Sequence, residues 1–159
     1  MTALPGQLAL VLHAHLPFVR HPEHPRHLEE HWLFEAITDV YLPLLELLRG
    51  AAARGSRFRL TLSLSPTLLG MLADPCWMAR YRDCLDRLGR LTKRLTEDSR
   101  LDPAHRSPAR FYRRRLDHLR AFYLDRLDGD PITTFAALAD NGLVELMTKA
   151  ATPDYTPAA

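Results

Sequence analysis

From Arg57 to Ser65 apolar and polar residues alternate. Phe58, Leu60, Leu62 and Leu64 fall on one side; Arg59, Thr61, Ser63 and Ser65 fall on the other. A period of two predicts a strand with one face in a core. Gln7 to Leu12 (QLALVL) is instead a continuous apolar run, which predicts a strand covered on both faces, as in a parallel sheet between helices. His13, Ala14 and His15 follow it, Pro17 ends regular structure, and residues 20–27 (RHPEHPRH) read as loop. Between the two strands, Glu29 to Arg49 repeats at three- and four-residue steps through Leu33, Ala36, Ile37, Val40, Leu44, Leu45 and Leu48. That predicts one amphipathic helix, kinked or split by Pro43 and stopped at Gly50 or Gly55. Strand, helix, strand in this order is a βαβ unit, so the two strands should run parallel.

The second half of the chain is helical in pattern. After a short helix over Thr67–Leu72, Asp74-Pro75 supplies an N-cap and a proline for the first turn. The helix it starts should run to about Asp98, with Trp77, Tyr81, Leu85, Leu88, Leu91 and Leu95 as its buried stripe. Ser107-Pro108 predicts the start of another, reaching Leu127 and burying Phe111, Leu116, Leu119 and Tyr123. A turn at residues 128–131, a short helix over Thr133–Ala139 and a cap at Asn141-Gly142 lead into a third strand, Leu143–Thr148. The expected fold class is therefore α/β: about three parallel strands, with a long helical insertion between the second and third. Residues 1–152 read as one unit and residues 153–159 as an unstructured tail. No covering helix follows the third strand, so the sequence reads as an α/β fold cut short.

Composition removes several classes of function. Hydrophobic residues make up 47% of the 159, enough for a real core without disulfides. No apolar run approaches the ~18 residues of a membrane span, and no export signal precedes Leu8, which makes the cytoplasm the expected location. With 21 basic and 19 acidic residues, the balance suggests neither nucleic acid nor an anionic membrane as partner. The arginines between Arg110 and Arg126 are interleaved with Asp117 and Asp125, as on a solvated, ion-paired helix face. Cys76 and Cys84 form no CxxC and are expected as buried thiols. The chain has no GxGxxG, P-loop, GxSxG or HExxH, which leaves nucleotide-binding and catalytic-triad chemistry without support.

His13 and His15 carry the strongest local signal. Two positions apart at a strand's C-terminal end, their rings should share one side, at the end where parallel α/β folds place their sites. Hydrogen bonding to a substrate, a metal pair and two loop histidines remain open as readings of the spacing alone. A metal needs a third ligand. Glu30, His31 and Glu35 are within reach in sequence but form no recognised metal motif. His21, His24, His27 and His31 are interrupted by prolines and arginines, which favours a solvated loop over a metal-binding tract.

Four segments together resemble glycoside hydrolase family 57. His13-Ala-His-Leu-Pro-Phe-Val19 is similar to that family's first conserved region. Glu29-Glu-His-Trp-Leu-Phe-Glu-Ala36, Thr61-Leu-Ser-Leu-Ser-Pro-Thr-Leu68 and Gly142-Leu-Val-Glu-Leu-Met-Thr-Lys-Ala-Ala-Thr152 resemble, in order, later segments of its 1,4-α-glucan branching enzymes. The resemblance covers residues 8–152 and implies part of a (β/α)7-type barrel whose enzymes transfer α-glucan with retention of configuration. It implies His13, His15, Trp32, Ser65 and Glu145 as substrate-binding residues, with no metal and no cofactor. The family's catalytic Glu and Asp lie in regions beyond the second; Glu29, Glu30, Glu35 and Glu145 match neither. After Thr152 the family continues with His-Gly, where this chain has Pro153-Asp154. The expectation is a chain that is inactive alone and binds α-glucan weakly, if at all. A non-catalytic glucan-binding or assembly module completed by a partner chain, and a metal-binding α/β protein using the histidines, are the alternatives.

Overall fold

A computed structural model describes residues 6, 8–18, 27–98 and 100–147. His21, His24, Thr148 and the 153–159 tail lie outside them. Strand β1 (Val11–Ala14) leads to helix α1 (Glu30–Ala36), a π turn (Ile37–Tyr41) and helix α2 (Leu42–Ala53). Strand β2 (Leu60–Leu64) is followed by α3 (Pro66–Ala73), α4 (Pro75–Glu97) and α5 (Pro103–Ala121), which ends in a second π turn (Phe122–Arg126). Helix α6 (Pro131–Asp140) and strand β3 (Val144–Met147) complete the order.

The three strands form one sheet in the order β1-β2-β3, and both pairings are parallel, as the βαβ pattern predicts. Register sorts the side chains. Leu12, Ala14, Leu60, Leu62, Leu64 and Val144 share one face and belong to or pack on the core with the helices. Val11, His13, Thr61, Ser63, Glu145 and Met147 share the other. On that second face Val11, His13, Glu145 and Met147 are exposed and Ser63 is buried between neighbours, so among the described residues this side of the sheet is largely open.

The N-terminal strand departs from the sequence reading on both position and burial. It begins at Val11, opposite Thr61, and the Leu10 carbonyl just before it accepts from the Thr61 N–H at 3.0 Å. Leu8 is 93% exposed, and Leu10 and Val11 are exposed as well. Among the described residues the apolar run is therefore not covered on two faces.

The helix between β1 and β2 is split near Pro43, as its sequence predicts. Proline lacks the N–H that an α-turn needs and its ring crowds the preceding turn. The π turn just before it widens the helix, with the Leu42 N–H bonded five residues back to Ile37 O. The buried side chains step from Ile37 to Tyr41 to Leu45, with Leu42 beside them, and Val40, expected in the stripe, falls to one side and is exposed. The helix stops at Gly55, not Gly50. Gly55 adopts φ +67°, and the Gly55 and Ser56 N–H groups bond Ala52 O (2.9 Å) and Ala51 O (3.0 Å), a Schellman closure.

Helix α4 matches its predicted span, with Asp74 Oδ1 accepting from the Cys76 N–H at 2.8 Å. Its stripe is buried at Trp77, Tyr81 and Leu85, but Leu91 and Leu95 are exposed because the helix outruns the core. Helix α5 starts earlier than Ser107-Pro108: Asp102 caps it through the Ala104 N–H (2.7 Å), Pro103 takes the first turn, and Pro108 lies inside. Phe111 is exposed, while Leu116, Leu119 and Tyr123 are buried. Cys84 is buried; Cys76, at the start of α4, is exposed.

Candidate functional site

The open sheet face is built from the ends of the strands. Across it run two rows, Val11–Thr61–Glu145 and His13–Ser63–Met147. His15 and Ser65 follow β1 and β2 at the same C-terminal end. The two imidazoles are parallel, with centroids 6.1 Å apart and planes inclined by 12°. The period of two that separates them in sequence brings them to one side, as expected. His13 is exposed; His15 is half-buried, and its Nδ1 is buried with no hydrogen-bond partner among the described residues. A buried ring nitrogen left open is costly and is satisfied by whatever polar group reaches it.

The loop beneath the histidines is tied down by hydroxyls. Ser65 is fully buried and caps α3, its Oγ accepting from the Leu68 N–H at 3.3 Å. It also shares a hydrogen bond with Thr67 Oγ1 at 3.0 Å, and Thr67 Oγ1 donates to Leu16 O at 3.0 Å. The Ser65 N–H donates to Ala14 O at 3.1 Å. These bonds fix the exit of β1 against the start of α3, holding the segment on either side of His15. Thr67 was not singled out from sequence, although Ser-Pro-Thr at a strand exit is a hydroxyl-capped helix start. Ser63, buried between His13 and Met147 in its row, was missed as well.

Glu145 stands on the open face, its Oε2 accepting from Thr61 Oγ1 at 3.2 Å. It is the one carboxylate contributed by the three strands. Trp32 projects from α1 rather than from the sheet, and is 49% exposed. One acid of that segment, Glu30, is used elsewhere. Glu30 is buried and paired with Arg80 at 2.9 Å, with His27 Nδ1 3.9 Å away. The His27 ring packs edge-on against Trp77, with centroids 5.6 Å apart, so this histidine is a packing residue and not part of a solvated loop. Among the described residues no three His, Cys, Asp or Glu side chains are placed to hold one metal ion. No helix among them is long and apolar enough to cross a membrane.

The arginines of α5 do form ion pairs, mostly with other helices. Arg115 reaches Asp39 at 2.9 Å, Arg120 reaches Asp86 at 2.8 Å, and Arg113 reaches Glu97 at 3.7 Å.

Comparison with known proteins follows the same outline. The family model for glycosyl hydrolase family 57 matches residues 9–159. A 1,4-α-glucan branching enzyme of Thermococcus kodakarensis is 31% identical over 154 residues, covering 96% of this chain but 22% of that enzyme. The solved structure of the α-amylase AmyC from Thermotoga maritima superposes with a TM-score of 0.81 at 34% identity, over 91% of this chain and 27% of that one. The family 57-type branching enzyme of Pyrococcus horikoshii gives 0.81 at 33% identity, with the same coverage. The chain thus spans about a quarter of the length of these relatives, and its three parallel strands and helices match part of their fold. This chain belongs to glycosyl hydrolase family 57.

Proposed function

We propose that this chain carries one part of an α-glucan site, with His13 and His15 as its hydrogen-bonding pair, and that by itself it does not turn glucan over. The observation that carries the reading is the parallel pair of imidazoles at the C-terminal end of β1, one of them holding a buried, unpartnered nitrogen. Each ring nitrogen donates or accepts one hydrogen bond, which suits the hydroxyls of a single glucosyl unit. Relatives named as branching enzymes and as an α-amylase support α-glucan as the ligand class. Two hydrogen bonds of about 1 kcal/mol each come to about 2 kcal/mol, which is weak binding on the order of tens of millimolar. Titration of maltotriose into ¹⁵N-labelled protein should shift the His13 and His15 signals saturably. A folded chain whose histidine signals stay still at high sugar, or move with one equivalent of zinc, refutes the assignment.

Inactivity rests on the carboxylates. Retaining glycosyl transfer uses two, about 5–5.5 Å apart, one as nucleophile and one as acid/base. The strands supply Glu145 alone, and its Oε2 is engaged by Thr61. Purified chain incubated with amylose should lose no iodine colour and generate no reducing ends above a heat-killed control. Turnover that disappears in His13→Ala would overturn this.

A second reading, in which other strands complete the sheet, is favoured by one observation. Both β1 and β3 are edges of the described sheet, and Val11, Leu146 and Met147 stand exposed on them. Strands added at either edge would cover these side chains while leaving the histidines at the rim.

A further inference from the structure

A groove of about 380 Å³ lies in the helical layer, between α1 with its π turn, α4 and α5. His13 and His15 belong to the sheet and take no part in it. Its size is within the range of small-ligand sites, roughly 300–1,000 Å³. Phe34, Leu88, Leu116 and the ring of Tyr112 give it an apolar lining, and Tyr112 is 55% exposed. Four charged side chains also line it: Glu35, Asp39, Arg87 and Arg115. Asp39 and Arg115 are bonded to each other at 2.9 Å, which fixes both heads at one rim. Arg87 donates to Cys84 Sγ at 3.4 Å, a weak acceptor that uses one N–H of its fork.

Two carboxylates and two guanidiniums cancel in charge. An anion or a cation would meet as much repulsion as attraction there. A purely apolar molecule would suit the lining of Phe34, Leu88 and Leu116 but would take water from the Glu35 and Arg87 heads and return no hydrogen bonds to them, which is costly. A neutral ring with C–H faces and a belt of hydroxyls meets neither penalty. Its hydroxyls donate to the carboxylates and accept from the guanidiniums, while a C–H face lies on the tyrosine. The geometry points to this groove as a second α-glucan contact, taking one or two glucosyl units of a chain. The inference rests on the α-glucan reading above, and extends it to a surface that holds glucan without touching the histidines.

Maltotriose titrated into methyl-labelled protein tests it. The Leu88 and Leu116 methyl signals should shift saturably in the millimolar range. Tyr112→Ala should raise the apparent Kd at those methyls at least fivefold and Arg87→Gln at least threefold, with His13→Ala leaving it unchanged. If Tyr112→Ala fails to fold, Arg87→Gln decides. Groove methyls that stay still while His13 and His15 respond would overturn the groove and leave the first reading standing. If neither set responds, both readings fall. Methyls that respond to indole but not to maltotriose, or to maltotriose equally in both variants, would also overturn the groove assignment.

Discussion

Raising the pH from 10 to 12 should unfold this protein steeply. Tyr41, Tyr81 and Tyr123 are buried in the core, and burial disfavours each phenolate. Tyr41 is pushed up from 10.0 to about 12 by burial. Tyr81 and Tyr123 are also raised, chiefly by burial. The Thr38–Tyr81 hydrogen bond (3.0 Å) opposes the first of these shifts and the charge of Arg82 opposes the second. Below pH 10 these phenols are protonated in both folded and unfolded chains, so their contribution is fully present. Above pH 10 the unfolded chain releases their protons and the folded chain keeps them, so stability falls as pH rises. For Tyr41 the loss levels off near pH 12. Each such tyrosine contributes up to about 1.4 kcal/mol per pH unit. Tyr41 and Tyr81 titrating together give a slope of up to about 3 kcal/mol per pH unit, with Tyr123 acting in the same direction, against a total stability of roughly 5–15 kcal/mol. Urea unfolding at pH 8, 9, 10, 10.5 and 11 should show a flat free energy to pH 10 and a fall beyond it. Tyr123→Phe should make the fall shallower. A free energy that stays level to pH 11 would falsify this account of the core.

The same rings show what was legible in the sequence. Tyr81 and Tyr123 lie at the right phase on helices whose apolar stripes are plain, and both were expected in the core. Centroids 5.1 Å apart and an interplanar angle of 79° are the edge-to-face contact that joins those helices. Tyr41 was not expected there: Val40 and Tyr41 are both one helical step from Ile37, the stripe drawn from sequence ran through the aliphatic residue, and the structure buries the ring four residues on. Phe111 was misplaced because it lies five residues, about 140° around the helix, from Leu116; Ala109, two turns before Leu116, takes the buried position.

The site divides in the same way. Alternation placed His13 and His15 on one side, because that follows from strand geometry alone. Ser65 was a candidate for substrate from its place at the exit of β2, where its hydroxyl caps α3 and meets Thr67. Position along a strand is local information; the use of a hydroxyl depends on which backbone groups the next helix leaves open. Glu30 makes the point more strongly. In sequence it stood among possible third metal ligands, yet a partner 50 residues away, Arg80, draws it into the interior.

Breaking that pair should be among the most damaging single changes available. Glu30 is 5% exposed, and Arg80 Nη1 reaches its Oε2 at 2.9 Å. The guanidinium carbon also lies 5.6 Å from the centre of the Trp77 ring, so one side chain ties the start of α1 to the first turns of α4. Arg80→Met would keep much of the packing against Trp77 and remove the positive charge, leaving a carboxylate with little water and its main partner gone. Severing a buried pair this way costs about 3–5 kcal/mol; the Arg80 side chain is 27% exposed, so about 2–4 kcal/mol is expected here. The double variant Glu30→Gln, Arg80→Met removes the stranded charge as well, and should recover at least half of the loss. Urea midpoints of the two single variants and the double variant, measured at one pH, give the coupling directly. If Arg80→Met costs less than about 1 kcal/mol, or the double variant is no more stable than Arg80→Met, the pair is not what holds α1 against α4, and the Trp77, Phe34 and Tyr81 rings do so alone.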